Sequence, residues 1–559
     1  MKPIRNIERT RAQESTNAIE KLYISMRHLF TRGFYKPMGI SGETLRKSLL
    51  LLRPEIYGSI GEDRVELNGL VYVIERLPEG IEECQFINLT TDEGYKNSHF
   101  KAIVPPKRRR NCYRIDKDQM NIEITRGRSE IYDILTHLTF LFIESHKIQQ
   151  RISINEGEDY AREWNYLQDV ILHQKPISDK EKEVLIVHLG NILGRTFEEV
   201  SAVYNTFSTE QHPHKFFNLI YWLGKLAINE VQESKKRTIT FSSVLVEEIG
   251  HHIYGEIWAD RIKQTLKDSQ LLERPIHIIS ANMHSVMNSM YAKNALPEEA
   301  KKYKDFELFR LLSSSESKNL QQKVKEFASK KGLISIDDTS GTNIDVQIID
   351  TDKINFNLST FQKVHSLNEN PIIIVMDYAF GEQAFETMDE LLKPYKEGEN
   401  KIHLDVKSIS IMGKAGILEG GKGDIMIPTS HIFEGTADNY PFDNEFSKED
   451  LEGFGVKVFD GAMITVLGTS LQNRDLLKFF HESTWNVIGL EMEGAHYQKA
   501  IQSASKIRGN ISENVKVRYA YYASDNPIET GATLASGGLG MTGVVPTYAI
   551  TQKILEQIL

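Results

Sequence analysis

The chain has 559 residues, 40% of them hydrophobic and 26% charged, with 67 Lys and Arg against 77 Asp and Glu. That length holds about three or four domains' worth of chain, and the balance excludes collagen, coiled coil and general disorder. The formal net charge of −10 lacks the positive field of a general nucleic-acid binder. Two cysteines, Cys84 and Cys112, cannot build a disulfide framework and read as reduced thiols. The opening residues carry no apolar leader segment, and no stretch of about 18 uncharged apolar residues occurs. Together these features predict a soluble cytoplasmic protein that binds neither membrane nor nucleic acid.

Three regions are expected along the chain. Residues 1–120 read as mixed α/β, with a helix over 15–30 and strand-like pieces over 65–75 and 84–90. The basic run Lys107, Arg108, Arg109 and Arg110 follows two prolines and reads as a solvated turn, with an anion or phosphate contact as the second reading. Residues 121–274 read as mainly helical. Ile131, Ile134, Leu135, Leu138, Leu141 and Phe142 fall at helical spacing, and similar patterns cover 181–193, 215–231 and 242–267. Arg126-Gly127-Arg128-Ser129-Glu130 reads as a capped helix start, with an anion contact as the second reading. Glu130, His137 and Glu144 at heptad spacing, and Glu247 and Glu248 four residues before His251 and His252, read as surface ion pairs and caps rather than a metal site.

Residues 275–559 change pattern. Short apolar runs at 276–280, 333–336, 346–349, 372–376, 408–412, 425–427, 462–467, 487–490 and 515–522 alternate with amphipathic stretches, among them 383–392 and 474–481. This predicts an α/β domain with a largely parallel, buried sheet. Such sheets bind ligands at the carboxyl ends of their strands. The residues just past the predicted strands include Asn282 and His284; Gly413, Lys414 and Gly416; Thr469, Gln472 and Asn473; Glu491, Met492 and Glu493; and Ser524 and Asp525. Polar groups and glycines thus gather on one predicted rim.

Four ordered elements carry a resemblance. Leu490-Glu491-Met492-Glu493-Gly494-Ala495 resembles the acidic-Met-Glu signature of the nucleoside phosphorylase/nucleosidase superfamily, and Ala523-Ser524-Asp525-Asn526-Pro527 resembles its Ser-Asp element. Ile411-Met412-Gly413-Lys414-Ala415-Gly416, then Gly423-Asp424-Ile425-Met426-Ile427-Pro428, resemble its glycine turn and Gly-Asp strand. The resemblance covers 371–559 and extends back towards 275. Within the superfamily the chain is most similar to the AMP nucleosidases, through 468–494, with Asn473-Arg474 ahead of a helix, and through Ser524 to Pro527.

The resemblance implies a three-layer α/β/α phosphorylase-type domain that cleaves the N-glycosidic bond of a purine nucleoside or nucleotide. Asp525 would protonate the leaving base, for which burial must raise its pKa. Glu493 would hold the ribose 2′- and 3′-hydroxyls, with Met492 beneath the sugar. Glu491 would bond the hydroxyls or position a water. Ser524 accompanies Asp525, and Gly413 and Gly416 form the turn. Lys414 either holds a phosphate or points to solvent. His284 belongs to the first loop, and Thr469 and Asn473 would line the base or ribose pocket. Where phosphorylases carry a phosphate-binding arginine the chain has Ile411, which favours water as the nucleophile. A phosphorylase, with inorganic phosphate as co-substrate, and a nucleotide sensor without catalysis are the alternatives. No metal or other cofactor is called for, and a homo-oligomer is expected.

Overall fold

The computed structural model describes residues 11–155, 159–354, 370–436, 438–530 and 539–559. Residues 1–10 lie outside them. Among the described residues no helix is long and apolar enough to cross a membrane. The chain divides into two compact units. One comprises Met1–Thr125, Glu130–His251 and Ser470–Leu476; the other comprises Arg126–Ser129, His252–Thr469 and Leu477–Leu559.

In the first unit the strand Thr238–Phe241, from the region expected to be helical, pairs with Phe34–Tyr35 on one side and Phe86–Thr90 on the other. Residues 1–120 and the following helices therefore share one six-stranded sheet and cannot be separate domains. The stretch 65–75, expected as a strand, is the helix Leu67–Ile74. Glu66 caps it, accepting a hydrogen bond from the Asn68 N–H at 3.1 Å. Two residues of the basic run turn inward, while Lys107 and Arg109 are exposed: Arg108 donates to both oxygens of Asp133, at 2.9 and 3.0 Å, and Arg110 reaches the same carboxylate at 3.3 Å. Buried guanidinium groups must be paired, and these two are spent on the fold, not on an anion. His137 lies 3.2 Å from Asp133, and Glu144 lies 2.8 Å from Lys147. Among the described residues no three potential ligands form a metal group.

The second unit carries strands β1 (Ile276–Ser280), β2 (Leu333–Ile336), β3 (Val346–Asp350), β4 (Ile372–Met376), β5 (Val406–Ile417), β6 (Ile425–Phe433), β7 (Asp438–Pro441), β8 (Val458–Thr465), β9 (Val487–Glu491) and β10 (Lys516–Asp525). Their order is β2-β3-β4-β1-β5-β9-β8-β6-β7, and β10 pairs with both β5 and β6. Strands β5, β10, β6, β8 and β9 therefore close a ring. Pairing is parallel through β4, β1, β5 and β10 and through β6, β8 and β9. It is antiparallel at the β2–β3–β4 edge and where β5 meets β9 and β6 meets β10.

The apolar runs are continuous because the sheet is covered on both faces. Ile372, Ile374 and Met376 of β4 join one core, with the helices Ile253–Asp268, Gln383–Leu391 and Gly494–Gln502. Ile373 and Val375 join another, with the helices Met283–Ala295, Lys318–Lys330 and Val544–Ile558. The continuous helix expected over 242–267 is instead broken at His252, whose φ of 57° is left-handed.

Packing is close where the ring closes. A Cβ on Gly489 would lie 2.4 Å from Met426 Sδ and 2.7 Å from the Gly416 carbonyl oxygen, a backbone atom that cannot give way. Gly489→Ala is expected to destabilise the protein by about 1–3 kcal/mol, read as a lower denaturant midpoint. Gly421→Ala, whose added Cβ meets nothing within 4 Å, should shift it by less than about 0.5 kcal/mol. Equal effects would contradict the close-packed ring.

Candidate functional site

At one end of the ring, β5 lies between β9 and β10. Gly416 stands opposite Leu490 of β9 and also opposite Asp525 of β10, with a register shift at Ala415 and Gly416. The loop carrying Glu491, Met492 and Glu493 and the loop carrying Ser524 and Asp525 thus leave the sheet one strand apart.

Glu491 is not directed at a ligand. It is 2% exposed, and its carboxylate accepts hydrogen bonds from Thr465 Oγ1 and from the backbone N–H groups of Glu493, at 2.5 Å, and Gly494. Thr465 Oγ1 in turn accepts the Ala495 N–H at 2.9 Å. These bonds cap the helix Gly494–Gln502 and fix the turn before it. Both Glu491 oxygens are thus bonded within the protein, Oε1 to Thr465 and Oε2 to the Glu493 and Gly494 N–H groups. Gly494 is required here, because a Cβ would lie 2.2 Å from the buried ring of His431.

Glu493 is half-buried, and its Oε1 accepts the Gly381 N–H at 2.8 Å. Burial, then the neighbouring Glu491, push its pKa up to about 8. Gly381 follows β4 with a φ of +56°, and the Met492 methyl lies 4.0 Å from where a Cβ on Gly381 would be. Glu493, Met492 and the turn after β4 therefore form one surface.

Asp525 sits at the end of β10. The Ser524 hydroxyl is shared between the Ala415 carbonyl, at 3.0 Å, and Asp525 Oδ1. Asp525 Oδ2 is buried with no hydrogen-bond partner among the described residues. Burial raises the Asp525 pKa, against the Ser524 hydrogen bond and the charges of Lys414 and Lys422. The loop is held from both sides: Asn526 donates to the Gly420 carbonyl at 3.0 Å, and Gly423 and Ala523 bond backbone to backbone at 2.9 Å. Asp424 accepts the Gly421 N–H at 2.9 Å and the Lys457 N–H at 3.0 Å. The Gly-Asp element thus fixes the start of β6 beside the Asp525 loop.

Lys414 is exposed on β5 and lines a cavity of about 380 Å³ with Asn282, His284, Asn288, Tyr522 and Tyr548. Asn282 caps the helix Met283–Ala295, accepting the His284 N–H at 3.0 Å, and His284 is exposed. Gly413 pairs with Tyr521 inside β5. Thr469 is half-buried after β8. Asn473 belongs to the first unit. Its amide donates to the Leu52 carbonyl at 2.7 Å and accepts the Asp475 N–H at 2.9 Å, so the expected pocket contact gives way to a cap on the helix Arg474–Glu482.

Sequence reasoning missed Glu434, just after β6. It is 2% exposed; one carboxyl oxygen accepts the Leu467 N–H at 3.1 Å and the other has no partner among the described residues. Burial pushes its pKa up to about 8. It anchors the loop that follows β8. Nothing local marks it, since its partner, Leu467, lies in the loop after β8. Folded pKa values raised above the unfolded ones mean that Glu434, Glu491 and Glu493 favour the folded state most below about pH 4.5. That contribution is lost as pH rises towards about 8. Glu434→Gln, which keeps an acceptor for Leu467, is expected to flatten the loss of stability between those pH values in denaturation titrations. An unchanged slope would show that Glu434 is ionised throughout.

The comparisons with known proteins follow this geometry. No curated protein matches the chain. Among solved structures it is similar to the Campylobacter jejuni 5′-methylthioadenosine/S-adenosyl homocysteine nucleosidase, at 11% identity over 51% of this chain and 98% of that one, with a TM-score of 0.31. It is similar to the futalosine hydrolase of Helicobacter pylori, at 11% identity over 51% and 99%, with a TM-score of 0.29. It is also similar to the Streptococcus pneumoniae MTA/SAH nucleosidase in complex with 8-aminoadenine, at 11% identity over 50% and 99%, with a TM-score of 0.28. A family model described as "Family of unknown function (DUF6909)" matches residues 43–307 and 297–559, and the chain belongs to that family.

Proposed function

We propose that the second unit hydrolyses the N-glycosidic bond of a purine nucleoside or nucleotide, releasing the free base. The observation that carries this reading is two carboxyl groups on loops that follow strands on either side of β5, Asp525 with a buried oxygen unpartnered among the described residues and Glu493 bonded to the turn after β4. Bond cleavage leaves positive charge on the sugar and negative charge on the base. Asp525, whose pKa burial raises, gives its proton to N7 of the departing base. The C1′–N9 electron pair leaves with the base. Glu493 holds the 2′- and 3′-hydroxyls, above Met492. Water bonds to C1′, and its proton passes to an acceptor on the side of the Lys414 cavity, for which His284 is the candidate.

Ile411, at the position where phosphorylases carry arginine, is 3% exposed and packed in the core, which supports water over phosphate as the nucleophile. The Lys414 cavity supports the second reading, phosphorolysis, because it places an ammonium group beside a space of about 380 Å³. The likeness to AMP nucleosidases loses part of its basis, since Asn473 caps a helix. The three-layer arrangement, a cytoplasmic homo-oligomer and freedom from any cofactor except phosphate belong to the same proposal.

Asp525→Asn is expected to lower turnover by about 10²–10⁴-fold while substrate binding is retained, measured as base release by chromatography beside calorimetric titration. Release that strictly requires phosphate would replace hydrolysis by phosphorolysis. Absence of turnover by the wild type across purine nucleosides and their monophosphates would reduce the site to a sensor.

A further inference from the structure

The helix Ile253–Asp268 buries a lysine on its core face, between Ala259 and Leu266. Lys263 is 2% exposed. Its nitrogen donates to the Glu390 carbonyl at 2.7 Å, at the C-terminal end of the helix Gln383–Leu391. Lys267, one turn on, is paired with the Glu397 carboxylate; Lys263 is bonded to a carbonyl instead. A buried ammonium without a paired charge is costly. Burial, opposed by Asp260 and Glu390 and aided by Lys393 and Lys396, brings its pKa down to about 8.

Lys263 also lines a cavity of about 370 Å³, whose walls come from residues 256–264 and 390–396 of the second unit. That is the size of a small-molecule site. The other charges of the cavity balance. Arg261, Lys393 and Lys396 face Glu256, Asp260 and Glu390. Arg261 donates to the Asp337 carbonyl at 3.0 Å, and Lys393 to the Glu390 carboxylate. Tyr395 donates to Gln264 at 2.8 Å. With Lys263 neutral, the cavity carries no net charge, and its walls offer donors and acceptors together. Such a lining suits a neutral ligand rich in hydroxyl groups better than an anion or a cation.

A desolvated lysine amine is a nucleophile for carbonyl carbon. We propose that Lys263 captures a short polyhydroxylated aldehyde, an aldose in its open form, as an imine in this cavity. The neutral nitrogen attacks the aldehyde carbon, and a C–N bond forms. The nitrogen's proton passes to the carbonyl oxygen, and the carbinolamine then loses water to leave C=N. No oxidant or reductant is consumed. None of these residues belongs to the nucleosidase site.

The test treats the full-length protein with D-glyceraldehyde and cyanoborohydride near neutral pH, and maps the reduced adducts by peptide mass spectrometry. Lys263 is expected to be modified more than about tenfold faster than the exposed Lys396, because more of it is neutral at that pH. Its rate should climb as pH rises towards about 8 and level off above. Lys263→Arg, which keeps a donor for the Glu390 carbonyl, should remove this adduct and leave the others. Unfolding the wild type in urea should erase the preference, which tests the cavity without any variant. Propanal, which has no hydroxyl groups, should show a preference for Lys263 about five- to tenfold weaker. Labelling spread over exposed lysines, with Lys263 no faster than Lys396, overturns the inference. So does a preference that survives urea or that propanal shares in full.

Discussion

The carboxylate of Glu491 is buried at the end of β9, where it accepts hydrogen bonds from Thr465 and from the N–H groups of Glu493 and Gly494. A buried carboxylate is tolerated only when its oxygens are satisfied, and here satisfying them shapes the backbone. The bonds tie the end of β8 to the turn after β9 and to the first turn of the next helix. Glu493 owes its direction to that turn, and so does its bond to Gly381. Without the Glu491 linkage, no group would hold the second carboxyl over the turn after β4 or set it one strand away from Asp525.

The same linkage explains a division of labour between chemically identical groups. Four carboxyls gather near this end of the sheet. Glu491 has both oxygens bonded within the protein, whereas Glu434 and Asp525 each keep one oxygen without a partner among the described residues. Glu493 accepts one N–H and stays half-exposed. Residue type alone does not distinguish these environments, and each bond accepted leaves less capacity for a further one.

Much of the second unit was legible from sequence. The run in β4 is apolar at every position because helices cover both faces, and a run of β-branched residues such as Ile372 to Val375 fits such a strand. The loops holding Glu493 and Asp525 were legible as ordered local motifs. Long-range partners were not: Thr465 beside Glu491, Gly381 beside Glu493 and Ser129 beside Glu382 are brought together by pairing order, which no local pattern encodes. Leu67–Ile74 was misread because its apolar residues fit a strand as well as a short helix, and Glu66 decides between them by capping. Asn473 was misread because a polar residue after a strand serves equally as a cap or as a ligand contact.

The two units are interwoven along the chain, with boundaries at 125/126, 129/130, 251/252, 469/470 and 476/477. No single cut separates them. A fragment beginning at residue 275 would keep every nucleosidase-like motif yet lose Arg126–Ser129 and the helix Ile253–Asp268, which supplies Trp258, Ile262 and Leu266 to the core. Cutting the chain at residue 275 would therefore uncover one face of that core.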